Sequence, residues 1–411
     1  MVLALEPPPW CSLPLDLILE IVSRCTTATV IRCAATCKFL RRSLAADPAF
    51  LRDDRFDTSL LAGHFHFEKK RPKLFDPFFV ASNSNHPDVP PARIRSFLSD
   101  LSRKTFPNYS YKPLASRGGL LVLHRIDRSD PYNTPDGEIL VWNPTRRFDC
   151  GLLRAAGIAG DSYILFPCDD SVVRSFRLIA VRFVDNLVET QAITCPYAAL
   201  RERPPLLEWR LWGDIAQAEI AGPKAKFARH SLPPVLLRGV AYWLCKDSGT
   251  YRVLSLHVDT MEASYVAALP PECSSTAVLS RKEILVVPAS PEMRLGLLTL
   301  GGEVLTLWAL ADDGGCWTRR ATVTRERIAC SAGVSSRPWP FQWKPISMEL
   351  ECCDERSGTV WLRIPGRLKA VVLSLQTMEM EVRLIDSKDP SIVCPYETMD
   401  FATCIATMKQ F

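Results

Sequence analysis

The sequence predicts a multidomain α+β chain, in which a small N-terminal all-α unit of two to three helices is followed by a large all-β, β-propeller-like domain. Three observations predict it. Within the first fifty positions apolar residues recur at helical spacing. From Gly118 onward, apolar runs of four to eight residues alternate with turn residues, which is the pattern of strands. The 411 residues exceed what one core normally organises, and 32 prolines against 19 glycines disfavour long helical bundles and glycine-rich disorder alike.

The helical unit is expected over residues 10–55. Ser12 is placed to cap a first helix, and Pro14 suits its first turn, where a missing N–H costs nothing. Leu17, Ile18, Ile21 and Val22 then form one apolar stripe. Thr26, Thr27 and Thr29 interrupt it, and Val30, Cys33, Ala34 and Cys37 restart it. Phe39, Leu40 and Leu44 extend the second stripe as far as Asp47-Pro48, where the residue before proline leaves helical geometry. A unit this small has little core of its own, so its stripes are expected to be completed by another surface.

Residues 56–117 read as a connecting segment, largely loop, with prolines at 72, 77, 87, 90, 91, 107 and 113. Ile94, Phe97, Leu98 and Leu101 predict one short helix within it. Residues 67–117 carry ten Lys or Arg against four Asp or Glu, so the whole of the chain's formal charge of +5 originates there and the other regions together are slightly negative. No nucleic-acid module surrounds these charges, which favours solvated loop over nucleic-acid contact. His64 and His66 share one face of a strand, but two imidazoles without a third ligand do not make a metal site.

The all-β domain is expected over residues 118–411. Its strands are predicted at Leu120 to Leu123, Glu138 to Trp142, Val235 to Leu237, Val240 to Leu244, Arg252 to Val258, Glu283 to Val287, Val304 to Leu310, Thr359 to Ile364 and Ala370 to Leu375. Lys246 to Gly249, Asp312 to Gly315 and Glu355 to Gly358 have the composition of hairpin loops. Around twenty strands fit this length, enough for five or six four-stranded blades. The tryptophans at 142 and 243 read as packing between blades rather than as ligand platforms.

Leu13-Pro14, Glu20-Ile21, Ser23-Arg24, Arg32 and Cys37-Lys38, closed by Asp47-Pro48-Ala49-Phe50, resemble an F-box. The chain reads Thr27-Ala28-Thr29 where that family commonly has Pro and Asp, and Leu40 where it commonly has Trp. Gly118 to Leu121 with Val141 to Thr145, Arg238 to Leu244 with Leu254 to Asp259 and Ala268 to Pro270, and Glu303 to Leu310 with Trp317 are similar to the F-box-associated β-domain of many plant F-box proteins. The resemblance implies a substrate-recognition subunit of a Skp-cullin-F-box ubiquitin ligase, cytoplasmic or nuclear. It would hold a Skp-type adaptor, and through it cullin, and present an unidentified target protein. Carried over by position, the adaptor-docking residues are Leu13, Pro14, Leu17, Ile18, Ile21, Val22, Val30, Ile31, Cys37 and Lys38.

No catalytic role, cofactor or metal is expected. Gly160-Asp161-Ser162-Tyr163 is similar to the nucleophile block of one esterase family, but the Asp-x-x-His that would activate the serine is missing. Fifteen cysteines include no Cys-x-x-Cys pair, so they read as small apolar residues. No apolar stretch is long enough to span a membrane, and Glu6 with three prolines interrupts any leader-like start. The rival expectation is a stand-alone propeller binding protein or a carbohydrate-active propeller enzyme, marked by two carboxylates and a histidine gathered at the propeller's centre.

Overall fold

The computed structural model describes residues 13–25, 27–46, 56, 60–71, 74–81, 109–127, 139–144, 150–153, 160–168, 175–184, 186–196, 212–220, 233–247, 250–266, 268–270, 281–289, 293–311, 316–334, 347–385 and 392–397. Two compact units emerge, one of Met1–Asp53 with Met399–Phe411 and the other of Asp54–Thr398.

The first unit contains α1 (Leu15–Ser23), α2 (Thr27–Thr36) and α3 (Lys38–Ala46). Pro14 stands just before α1, and its carbonyl accepts from the N–H groups of Leu17 and Ile18 at 3.1 Å, so proline opens the helix as its fixed φ allows. The expected cap Ser12 lies outside the described residues. The three helices do build a small core of their own, from Val22, Val30, Ala34, Leu40 and Leu44. Leu40 fills part of that core at 9% exposure, a position where a smaller aliphatic side chain suffices.

The second unit is a β-propeller. Its five four-stranded antiparallel blades follow chain order. The first holds β3 (Tyr109–Arg117), β4 (Leu120–Asp127), β5 (Ile139–Trp142) and β6 (Cys150–Leu153). The second holds β7 (Ser162–Cys168), β8 (Ser175–Val184), β9 (Leu187–Pro196) and β10 (Ala216–Glu219), and the third β11 (Val235–Leu237), β12 (Val240–Asp247), β13 (Thr250–His257) and β14 (Ala263–Tyr265). The fourth holds β15 (Ile284–Ala289), β16 (Arg294–Gly301), β17 (Val304–Leu310) and β18 (Trp317–Thr324), after which Thr324 caps the short helix α4 (Arg325–Ser331). The fifth holds β19 (Glu349–Asp354), β20 (Thr359–Arg363), β21 (Lys369–Ser374) and β22 (Met380–Leu384). The hairpins expected at 246–249, 312–315 and 355–358 join paired strands, with Asp247 opposite Thr250, Leu310 opposite Trp317 and Asp354 opposite Thr359.

A three-stranded sheet completes the ring. It pairs β1 (Leu61–Arg71) with β2 (Leu74–Ala81) on one side and with β23 (Ile392–Glu397) on the other. The first strand of each blade and β23 form an inner ring. In it β3 neighbours β7, β11 neighbours β15, β15 neighbours β19, β19 neighbours β23, and β23 neighbours β3. Ile164 of β7 and Leu236 of β11 share one apolar cluster and close the remaining gap.

The sheet corrects one expectation. Residues 56–117 are not loop throughout: β1, β2 and β3 lie inside that segment, and Leu61 to His66 of β1 are buried. Its period-two alternation puts Phe65 against Trp142 and Tyr396 of one neighbourhood, while His64 and His66 face Trp361 on the other. The helix expected at Ile94 to Leu101 lies outside the described residues.

Candidate functional site

On the helical unit, α1 presents two faces because its side chains recur every three to four residues. Val22 faces the core, whereas Leu13, Leu17 and Ile21 are 40%, 46% and 50% exposed. Pro14 and Lys38 are also exposed, and Ile18, Ile31 and Cys37 are half-buried against the core. Val22 and Val30, both carried over as docking residues, lie in the unit's own core. Phe39, next to Lys38 at the start of α3, is 61% exposed and was missed as a surface residue because its position continues the helical stripe. Its neighbour Leu40 takes the inward place. Leu13, Leu17, Ile21 and Phe39 are thus large apolar side chains left uncovered on this unit.

The β-unit has a second concentration of chemistry, inside its inner ring. A cavity of about 60 Å³ is lined by residues of β3, β11, β15, β19 and β23, among them Arg117, Asp354, Glu355 and Glu397. The turn after β19 places Glu355 inward, where one carboxylate oxygen pairs with Arg117 and the other accepts from the Leu236 N–H at 2.6 Å. Burial raises the Glu355 pKa to about 7, although Arg117 and that N–H pull it back. Asp354 and Glu397 are 2% and 5% exposed. Both accept from the backbone N–H of Arg356, at 3.2 and 3.1 Å. Burial, and then the Glu397 carboxylate beside it, hold the Asp354 carboxyl well above its ordinary range. None of these four residues was singled out for chemistry in the sequence, because Glu355 to Gly358 is legible only as a turn.

The marker for a propeller enzyme is met in half. Carboxyl groups gather at the centre, but among the described residues no histidine lines the cavity. His64 and His66 are buried against Trp361, with ring centroids at 4.3 and 5.2 Å. Burial lowers the His66 pKa to about 4, and burial followed by the charges of His66 and Arg383 lowers that of His64. Among the described residues no three His, Cys, Asp or Glu side chains are grouped to hold a metal ion. Ser162 opens β7 and accepts from the Trp243 indole N–H at 3.0 Å, so it ties the second blade to the third. Asp161 accepts from the Phe183 N–H at 2.9 Å. That motif is a structural joint, and Trp243 packs between blades as its sequence context suggested.

An open cleft of about 550 Å³ lies between the second and third blades, with Phe166, Arg177, Asp214, Asp259 and Met261 on its walls. The target-facing loops expected at 201–205 and 336–340 lie outside the described residues. No described helix is long and apolar enough to cross a membrane.

Comparison with known proteins places this geometry. Among solved structures the chain is similar to a luciferin-regenerating enzyme, at 9% identity and a TM-score of 0.35, over 69% of this chain and 78% of that one. A protein from Lactobacillus plantarum aligns at 10% identity and a TM-score of 0.36, over 79% of this chain and 81% of that one. A Penicillium chrysogenum alpha-L-arabinanase, complexed with arabinobiose, aligns at 11% identity and a TM-score of 0.32, over 70% of this chain and 83% of that one. Likeness at this level carries no functional inference. No curated protein matches the chain. Residues 10–48 match the F-box domain, which supports the role of an F-box substrate adaptor in general. Residues 108–411, well over half of the chain, match the family described as Domain of unknown function (DUF7595), and the chain therefore belongs to that family, with an F-box domain preceding its β-propeller.

Proposed function

We propose that this chain is the substrate-recognition subunit of a Skp-cullin-F-box ubiquitin ligase. The F-box docks a Skp-type adaptor, which carries the cullin, and the propeller presents a target protein for ubiquitin transfer. The observation that supports this reading is the uncovered apolar set of Leu13, Leu17, Ile21 and Phe39 on a helical unit that already has its own core. Burying such side chains contributes roughly 1.5–3 kcal/mol each before ordering costs. Pro14, Lys38 and the half-buried Ile18, Ile31 and Cys37 extend the same docking set, while Val22 and Val30 hold its scaffold. The chain then performs no chemistry itself: it raises the concentration of the target near the ligase.

The rival enzyme reading draws on the gathered carboxyl groups. The axial cavity of about 60 Å³ is far below the roughly 300–1,000 Å³ of small-molecule sites, so a sugar does not fit it. A pull-down of the folded chain with a Skp-type adaptor tests the proposal, beside Ile21→Ala/Phe39→Ala and Val22→Ala. The double variant is expected to lose at least tenfold in affinity while its helical unfolding midpoint is kept. Val22→Ala is expected to lower the midpoint. Failure of the intact, folded chain to bind the adaptor would overturn the reading.

A further inference from the structure

We propose that Asp354 and Glu397 share a single proton across the seam between the fifth blade and the three-stranded sheet, and that this proton makes closure of the ring pH-dependent. The geometry behind it is a shortage of donors. The two carboxyl groups meet at one N–H, that of Arg356, which lies 3.2 Å from Asp354 Oδ1 and 3.1 Å from Glu397 Oε1. Ser357 N–H adds a second contact at 3.3 Å, but to the same Asp354 Oδ1. Asp354 Oδ2 is buried and receives no hydrogen bond from any described donor. Two ionised carboxylates in so dry a place repel each other and leave an acceptor unserved. A proton on Asp354 Oδ2, donated to Glu397, supplies the missing donor and removes one charge.

Among the described residues that line the cavity, Arg117 is the one cation. Arg117, from β3, is engaged with Glu355. Glu355 itself adds a carboxyl group from the same turn, and the charge of Glu397 is one of the influences that raise it. The thiols of Cys352 and Cys353 from β19 stay protonated, as burial pushes both well up, and Cys394 of β23 is pushed up to about 12. From β11 and β15 the cavity receives only Val235, Leu285 and Val286. The pair is also a fastener: Asp354 ends β19 of the fifth blade, and Glu397 ends β23. Glu397 stands opposite Leu61 at the start of β1, so its backbone belongs to the sheet while its carboxyl reaches the Arg356 N–H of the fifth blade.

The sign follows from proton counting. Asp354 in the folded chain keeps a proton that the unfolded chain releases above its ordinary value of 3.8. Stability from the pair is therefore whole below that value and falls as pH rises toward the higher folded pKa. Glu355 acts in the same direction between about 4.5 and about 7.

Amide hydrogen exchange on the full chain from pH 7 to pH 9, above the range in which Glu355 titrates, tests this, with residues 392–397 of β23 read against residues 304–310 of β17. After correction for intrinsic rates, opening of β23 relative to β17 is expected to rise by up to about tenfold per pH unit. Asp354→Asn keeps an N–H for Glu397 and does not ionise, so it is expected to remove most of this slope. Glu397→Gln is expected to do the same, with the donor reversed. Glu355→Gln should leave most of the slope in place. A wild-type slope retained in Asp354→Asn, or a slope abolished by Glu355→Gln alone, overturns the proposal. Should neither pair variant fold, the Glu355→Gln protein at neutral pH decides by infrared spectroscopy. A carboxylic-acid C=O band from a buried group supports the shared proton, and its absence overturns it.

Discussion

Gly358 shows how much a single position can carry. It ends the turn between β19 and β20 at φ +61°, and a Cβ there would stand 2.5 Å from Cγ of Phe56. The left-handed conformation and the aromatic neighbour both demand glycine. Gly358→Ala is therefore expected to lower stability by about 1–3 kcal/mol, read as a lower urea midpoint with an unchanged slope. An unchanged midpoint would contradict it. At this scale the sequence was informative about the turn and silent about the neighbour: Glu355-Arg356-Ser357-Gly358 announces a hairpin by composition, whereas Phe56 lies some three hundred residues earlier. The same holds for Glu355, whose inward carboxyl meets Arg117 and the Leu236 N–H only through tertiary packing. Phe39 and Leu40 illustrate the opposite difficulty. Adjacent apolar residues both fit a helical stripe, and only the packed core tells which one points in.

Among the elements, β1 is where sequence and structure part. Its surroundings are basic and punctuated by proline, so the segment reads largely as loop. The spacing of His64 and His66 suggests one strand face there, and both imidazoles pack on Trp361 of the fifth blade. Their chemistry gives β1 a pH signature opposite to that of the carboxyl pair. His66 titrates near 4 in the folded chain and near 6.5 when unfolded. Its stabilisation is thus complete above about 6.5 and is lost as pH falls through 4. His66→Leu is expected to flatten the acid limb of the urea midpoint between pH 6.5 and pH 4. If the variant retains the wild-type acid limb, His66 does not carry it. By contrast β11 and β17 were legible to the residue, since Val235 to Leu237 and Val304 to Leu310 are apolar runs bounded by turns. The helices α1 to α3 were legible as elements, but which of their apolar residues stay uncovered was not.

The whole propeller depends on one sheet made from both ends of its chain. The strand count from composition was sound, and the blades follow sequence order because hairpin neighbours pair. What composition does not reveal is that β23 takes the innermost place and that β1 and β2 complete its sheet. Ending the chain at residue 391 removes β23 and leaves β1 with an open edge, β3 and β19 each without the inner-ring neighbour between them, and Asp354 without Glu397. The truncated protein is expected to lose its single cooperative unfolding transition and to associate through the bared edges, measured by calorimetry and light scattering. Retention of one sharp transition would show that the five blades stand without the sheet. The pairing of β1 with β23 also has a kinetic meaning. Leu61 meets Glu397 only after more than three hundred intervening residues have been made, so the ring cannot close until β23 has emerged. The early strands must wait, with β1 and β2 held as a bare hairpin, until the final strand arrives, and this interval is when the nascent chain most needs a chaperone.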